Sequence, residues 1–367
     1  MQWSPSTLGE LISPPFSHVI DVRSPSEHAH DHIPGAINLP VLNDAERAKV
    51  GTIYVQESRF LARKVGAAMV ARNTASHLEG PLAGFDGAFH PAIYCWRGGL
   101  RSNSFASMLT QIGWRVAVLD GGYRTYRRII VQAVQEQPPP APLLVLDGNT
   151  GTAKTDILKV LRAKGAQTID LEALANHRGS VFGKQPGGQP SQKAFEGALA
   201  KAYGKLDPTR PVWVEAESSR IGSLYLPPPL WGALTKAPRV IVDAPLEARV
   251  QYLSVAYRSI LDNTSEMVET LCSLVPLQGH ERVSDWITLV ESGQTRPLLE
   301  GLLSNHYDPR YAKSRTKRAS TFCQRLPLKA LGPEDQDQAA ERLLELEQDL
   351  LSAGTAADLS VTDLQSR

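Results

Sequence analysis

The sequence predicts an α/β protein with two domains, each built on a parallel sheet flanked by helices, the second enlarged by helical additions. Three observations carry that expectation. Residues 93–112 read as the end of a buried strand, a glycine-bearing loop around Cys95 and a helix. Residues 143–164 repeat the pattern: the apolar strand Leu143-Leu144-Val145-Leu146-Asp147 enters a second glycine-bearing loop and a second helix. Between them lies Gln135-Glu136-Gln137-Pro138-Pro139-Pro140-Ala141-Pro142, whose proline run stays extended and stiff. Strand–loop–helix units of this kind build parallel sheets, and 367 residues suffice for two separate cores. The expected division is 1–135 for the first domain, 136–142 for the linker, 143–352 for the second domain, and 353–367 for a small, polar tail that frays.

Bulk properties set limits. Hydrophobic residues make up 42% and charged residues 21%, as in ordinary globular proteins. A net charge of +1 neither demands nor excludes a nucleic-acid partner, so any RNA site is a local patch. Three cysteines without paired spacing argue against a disulfide framework or a zinc site and suit a reducing compartment. The N-terminus has no signal-peptide pattern, and no apolar run approaches membrane-spanning length. A soluble, cytoplasmic protein without a membrane partner is expected.

In the first domain, 42–66 is a charged, helix-compatible stretch able to cover one face of the sheet, and 77–91 is a Gly- and Pro-rich loop. The organising segment is Ile93-Tyr94-Cys95-Trp96-Arg97-Gly98-Gly99-Leu100-Arg101-Ser102. Its glycines let N–H groups converge on one point, the next helix aims its positive dipole end there, and Arg97 and Arg101 add charge. A thiol at that point ionises more readily than a free one. A buried cysteine is more often structural; the surrounding pattern makes Cys95 the candidate nucleophile. Gly122-Tyr123-Arg124-Thr125-Tyr126-Arg127-Arg128 opens an apolar-periodic helix whose arginines, Arg127 and Arg128 among them, either grip phosphate beside stacked bases or form a solvated helix start. Val19-Ile20-Asp21-Val22-Arg23-Ser24, His32-Ile33-Pro34-Gly35 and Asp120-Gly121-Gly122 make this domain resemble the rhodaneses. Its C-x5-R spacing is similar to the wider, phosphate-holding loop of rhodanese-related phosphatases.

In the second domain, Gly148-Asn149-Thr150-Gly151-Thr152-Ala153-Lys154-Thr155 matches a P-loop except at Ala153, where the motif wants glycine. Backbone N–H groups at Gly148, Asn149, Thr150 and Gly151 would cradle a di- or triphosphate. Lys154 would reach the terminal phosphate, Thr155 could ligate Mg2+, and the alanine methyl would crowd a phosphate oxygen. Strands 211–215 and 239–243 end in Glu215 and Asp243, which either face such a magnesium ion or serve as caps and ion-pair partners. No tightly held metal or cofactor is expected. The loop 170–183 carries His177, Arg178 and Ser180, and 215–222 carries Glu215, Glu217 and Arg220; both are polar enough to bind substrate, although a lone histidine is commonly structural. Gln192, Phe195 and Glu196 fall on a helix of this domain, and 246–303 reads as a helical bundle. His306-Tyr307-Asp308-Pro309-Arg310-Tyr311-Ala312-Lys313, continuing to Arg318, is a basic, aromatic patch suited to RNA or to plain solvation, with Tyr307, Arg310 and Lys313 as candidate contacts. Cys272 and Cys323 lack a glycine loop and are read as structural.

Taken in order, the Cys95 loop, the P-loop, Asn176-His177-Arg178-Gly179-Ser180 and 215–222 resemble the tRNA 2-selenouridine synthases: a rhodanese-like domain before a P-loop NTPase-like parallel-sheet domain on one chain. The resemblance implies wobble 2-thiouridine of tRNA as substrate, and selenophosphate and geranyl diphosphate as co-substrates. It also implies S-geranyl-2-thiouridine as intermediate and a selenophosphate-supplying enzyme as partner. It places the selenium step at Cys95 and leaves the P-loop for the prenyl diphosphate, with Trp96 packing on the geranyl chain or within its own loop. The alternatives are a C-x5-R phosphatase or sulfurtransferase fused to a kinase-like domain, with Asp21 or Asp120 as acid, and a binding module with a redox-sensing thiol.

Overall fold

The computed structural model describes residues 1–261, 263–316 and 323–363. It divides into two compact units, Met1–Gln137 with Pro190–Lys205, and Pro138–Gln189 with Leu206–Arg367.

The first unit holds five strands: β1 (Gln2–Trp3), β2 (His18–Asp21), β3 (Ile37–Asn38), β4 (Pro91–Tyr94) and β5 (Ala117–Leu119). They pair in the order β1-β5-β4-β2-β3, all parallel. Every residue of central β4 is buried, as a strand covered on both faces requires. Ile20, Ile93, Phe105 and Leu109 anchor the core between the sheet and the helix Leu100–Ile112. The charged stretch expected over 42–66 becomes two helices, Asp44–Gln56 and Arg59–Glu79, so helix enters the segment read as loop. Asp21 is in register with Tyr94, which brings the ends of β2 and β4, and the loops that follow them, to one edge.

One departure from the expected division concerns 190–205. Its helix, Gln192–Tyr203, is capped by the Ser191 hydroxyl and buries Phe195, Leu199, Ala200 and Tyr203 within the first unit. Its Glu196 is buried and receives donors from Arg127, Gln135 (2.8 Å) and Gln192 (3.1 Å). A buried carboxylate is tolerable only with such partners.

The second unit contains β6 (Leu143–Gly148), β7 (Gln167–Ile169), β8 (Val212–Glu215), a hairpin of β9 (Arg220–Ile221) and β10 (Leu224–Tyr225), then β11 (Arg239–Asp243) and β12 (Cys323–Pro327). The main sheet runs β12-β11-β6-β8-β7, all parallel. The helices Lys154–Ala163 and Pro333–Asp363 supply Ile157, Leu161, Ala340 and Leu343 to its core around Trp213. The tail expected to fray from 353 is helix through Asp363; 364–367 lie outside the described residues. Helices from Leu246–Ala256 to Thr295–Leu302 form the expected bundle, with Leu253, Leu271, Trp286 and Leu302 inside. Cys272 and Cys323, expected to be structural, are exposed, because each sits at the end of an element rather than on its inner face. Among the described residues no helix is long and apolar enough to cross a membrane.

Candidate functional site

Each unit presents one candidate site. In the first, Cys95 follows β4 directly and is 4% exposed. Its Sγ accepts the Gly99 N–H at 3.3 Å and lies 3.2 Å from the Ser102 hydroxyl. Burial raises the thiol pKa, but the Ser102 hydroxyl and the N–H groups of Arg97, Ser102 and Gly99 outweigh it, and the net direction is downward. The loop is held from below: the Tyr123 N–H donates to the Cys95 carbonyl at 2.8 Å, beside Gly122 at φ +58°. A Cβ on Gly122 would come within 2.3 Å of that carbonyl oxygen, so no other residue fits the Asp120-Gly121-Gly122 turn.

Beside the thiol opens a recess of about 560 Å³ lined by Trp96, Arg97, Leu100, Arg101, Glu27 and Arg47. Arg97 is exposed, whereas Arg101 is tied to Glu27 at 2.8 Å. Glu27 also lies 3.9 Å from Arg47 and closes a capping box with Ser24. The sequence reading missed Glu27, although Ser24-Pro25-Ser26-Glu27 spells the box out. Trp96 stacks on Tyr123, with ring centroids 5.0 Å apart, so its indole packs within its own unit while remaining 38% exposed. Arg127, read as an RNA contact, is spent on buried Glu196; Arg128 is exposed on the same helix.

In the second unit a cavity of about 610 Å³ lies over the P-loop, bounded by Thr150, Gly151, Lys154, Thr155, Arg178 and Ser180, among others. Lys154 is buried, and its Nζ donates to the Gly148 carbonyl at 3.0 Å and lies 3.6 Å from Glu215. Burial alone would lower its pKa; Tyr311, Glu215, Asp147 and Glu172 together raise it, so the ammonium persists. Thr155 donates to Glu215 at 3.0 Å. The Arg249 guanidinium donates to the Thr150 carbonyl at 2.9 Å and pairs with Asp308 at 2.7 Å, so Asp308 holds the loop from behind. The Asn149 side chain also donates to Asp308, so it is turned away from the cradle.

Ala153 stands in the left-handed region, φ +57° and ψ +22°, which is why the motif asks for glycine. Ala153 is buried in a small apolar cluster with Ala248 and Leu331. A non-glycine residue there costs roughly 1–2 kcal/mol. Burying a methyl gains about 0.8 kcal/mol, and the stiffer unfolded chain gains about 0.4–1 kcal/mol. The terms nearly cancel, and alanine is admissible.

Parallel pairing of β7 with β8 brings Glu172, just after β7, beside Glu215 and Glu217 at the end of β8. Their carboxylate oxygens lie within 4.8 Å of one another. Burial, then the neighbouring carboxylates, raises the pKa of Glu172 and of Glu217; burial raises Glu215 against the pull of Lys154. Glu215 was expected from the sequence as a residue facing magnesium or as a cap or ion-pair partner; the fold adds Glu172 and Glu217 beside it, and the hard oxygen donors of the three fit a divalent cation such as Mg2+. Asp243, the other strand-end carboxylate, pairs with Arg325 at an exposed position instead.

The remaining candidates scatter. His177 is buried, and its Nδ1 accepts the Gly179 N–H at 3.1 Å, so it clasps its own loop; burial, then Lys184, lowers its pKa. Arg178 reaches the cavity, donating to the Ala256 carbonyl over the Tyr257 ring. Arg220 donates to the Gly222 carbonyl in the β9–β10 hairpin, away from the cavity. Tyr307 is buried where an RNA contact was expected, because 303–307 form a π-helical turn that points it into the bundle. Arg310 lines the cavity and Lys313 is exposed on the helix Asp308–Thr316; Lys317 and Arg318 of the basic patch lie outside the described residues.

Comparison with known proteins bears on both units. Residues 4–128 match the rhodanese-like domain, and 141–278 match the family model described as the tRNA 2-selenouridine synthase AAA domain. The tRNA 2-selenouridine synthase of Alcanivorax borkumensis is 32% identical over 333 residues, covering 83% of this chain and 91% of that one. That of Shewanella loihica is 32% identical over 330 residues, covering 82% and 88%. That of Bdellovibrio bacteriovorus is 37% identical over 241 residues, covering 63% and 62%.

Proposed function

Because the chain belongs to the tRNA 2-selenouridine synthase family and is a transferase, we propose that it exchanges the sulfur of wobble 2-thiouridine for selenium in two transfers, one at each candidate site. In the first, the thiouridine sulfur attacks C1 of geranyl diphosphate, the C1–O bond breaks, and diphosphate leaves as N3 gives up its proton. The P-loop backbone and Lys154 hold the diphosphate, and the buried ammonium meets the negative charge that grows on it. Mg2+, where bound, would lie on Glu172, Glu215 and Glu217 and neutralise part of that charge. In the second transfer, the selenium of selenophosphate adds at C2, the C2–S bond breaks as geranylthiolate departs with the sulfur, and water takes the phosphoryl group as the P–Se bond breaks, leaving 2-selenouridine and phosphate. The Cys95 loop orients this step, with the thiolate, Arg97 and the loop N–H groups beside the recess. The sequence similarity that spans both units carries the reading. The cavity over the P-loop supports it with space for a diphosphate and an organic chain.

The phosphatase alternative needs a carboxylic acid that can hold a proton. Asp21 is fully buried between Arg23 at 2.7 Å and His28 at 2.9 Å. Burial raises its pKa, but those hydrogen bonds prevail and keep it ionised. Nucleoside mass analysis of tRNA decides between the readings. Cells lacking the protein regain 2-selenouridine with the wild-type chain. With Cys95→Ala they lose it while S-geranyl-2-thiouridine persists. Loss of both nucleosides with Cys95→Ala contradicts the division between sites, and independence of both from the protein contradicts the tRNA substrate.

A further inference from the structure

We infer that the P-loop cavity measures the length of its donor's hydrocarbon chain, the diphosphate lying on 148–155 and the chain end entering a slot among Phe182, Met267, Leu299 and Leu302. The inference rests on the prenyl-donor reading and adds where the chain goes and what limits it. The cavity has two unlike walls. One is the polar cradle of Thr150, Lys154, Thr155 and the glutamates; the other is made by Val181, Leu253, Ala256 and Tyr257. Beyond the second wall lies a gap of about 20 Å³ whose exposed lining is wholly apolar, and it shares Thr150, Leu253, Tyr257 and Tyr307 with the main cavity.

Cradle and slot are joined at one residue. Gly151, at φ +84°, lies so close to Leu253 that a Cβ there would come within 2.9 Å of its Cδ1. The phosphate loop therefore rests on the first residue of the apolar wall. Near the junction, the hydroxyls of Tyr307 and Ser180 lie beside each other, and both residues line the cavity. The slot itself offers a water no polar partners, and it breaks the close packing around it. The occupant that matches both ends is a diphosphate ester of a short, branched chain.

Calorimetry on the full chain with inorganic pyrophosphate and with dimethylallyl, geranyl and farnesyl diphosphates tests this. Affinity rises from pyrophosphate to geranyl diphosphate. Leu299→Ala, which deepens the slot, shifts the farnesyl-to-geranyl preference toward farnesyl by about tenfold, the scale of discrimination in apolar pockets, and leaves pyrophosphate affinity unchanged. An unchanged preference with intact pyrophosphate binding overturns the slot. Geranyl diphosphate binding no tighter than pyrophosphate overturns the donor reading, and the slot with it. A measurement on the wild-type chain guards against a variant that does not fold. Geranyl diphosphate bearing a diazirine at its far end labels Phe182 or residues within 264–272 or 295–307; labelling confined to other segments overturns the inference.

Discussion

Cys95 shows how a buried thiol is made acidic by a few hydrogen bonds. Its Sγ faces the Ser102 hydroxyl and the Gly99 N–H, and no charged group sits within hydrogen-bond distance of it among the described residues. A hydrogen bond to a charged acceptor is worth roughly 1.5–3 kcal/mol, and one pKa unit is about 1.4 kcal/mol. Ser102→Ala therefore raises the Cys95 pKa by about one unit or more. Peptide-resolved alkylation rates against pH, which keep exposed Cys272 and Cys323 separate, check the shift. An inflection unmoved by the substitution would show that the backbone alone sets the acidity. The Cys95 loop was legible because its glycines and the helix that follows are local in sequence. Glu27 was legible too, as a capping box, but its pairing with Arg101 spans the fold and could not be read.

At the scale of elements, adjacent parallel strands do what no motif announces. Glu172 and Glu217 meet only because β7 lies beside β8, and strand order is not written in either segment. The same holds for Arg127, whose partner Glu196 lies far along the chain. The strands at 143–147, 211–215 and 239–243, the P-loop and the helical bundle were plain from apolar runs and spacing, whereas the short β7 and the edge strand β12 were not read. The carboxylate cluster has a pH signature. Burial raises Glu217, so between the unfolded value, about 4.3, and its higher folded value the folded chain holds more protons than the unfolded one. Stability therefore falls as pH rises across that interval. Without magnesium, Glu217→Gln melts at a higher temperature than wild type at neutral pH, and the difference shrinks in acid. Added magnesium stabilises the wild type more than the variant. Parallel melting curves for the two chains at every pH would count against the raised Glu217, and equal stabilisation of both chains by magnesium would count against a cation site here.

On the scale of the whole molecule, the proline-rich segment was expected to divide two contiguous domains, yet 190–205 returns to the first unit. Composition could not disclose this, because Gln192–Tyr203 reads like any amphipathic helix. Without it, Arg127 loses a buried partner, and the apolar side chains that Phe195 and Leu199 cover are opened to water. A chain of residues 1–137 is therefore expected to melt lower and to bind a hydrophobic dye, and a peptide of residues 190–205 added in trans should restore part of the melting temperature. Unchanged stability on adding the peptide, with the fragment already folded, would show the helix to be dispensable.

The excursion also bears on how such a protein can change over generations. The chain passes from one unit to the other at 137, at 189 and at 205, so a gene break at the proline run cannot yield two self-sufficient halves. A recombination event that exchanged the N-terminal half alone would leave the newcomer without its complement from downstream, residues 190–205. Inheritance of the two units as one reading frame is then a condition of folding.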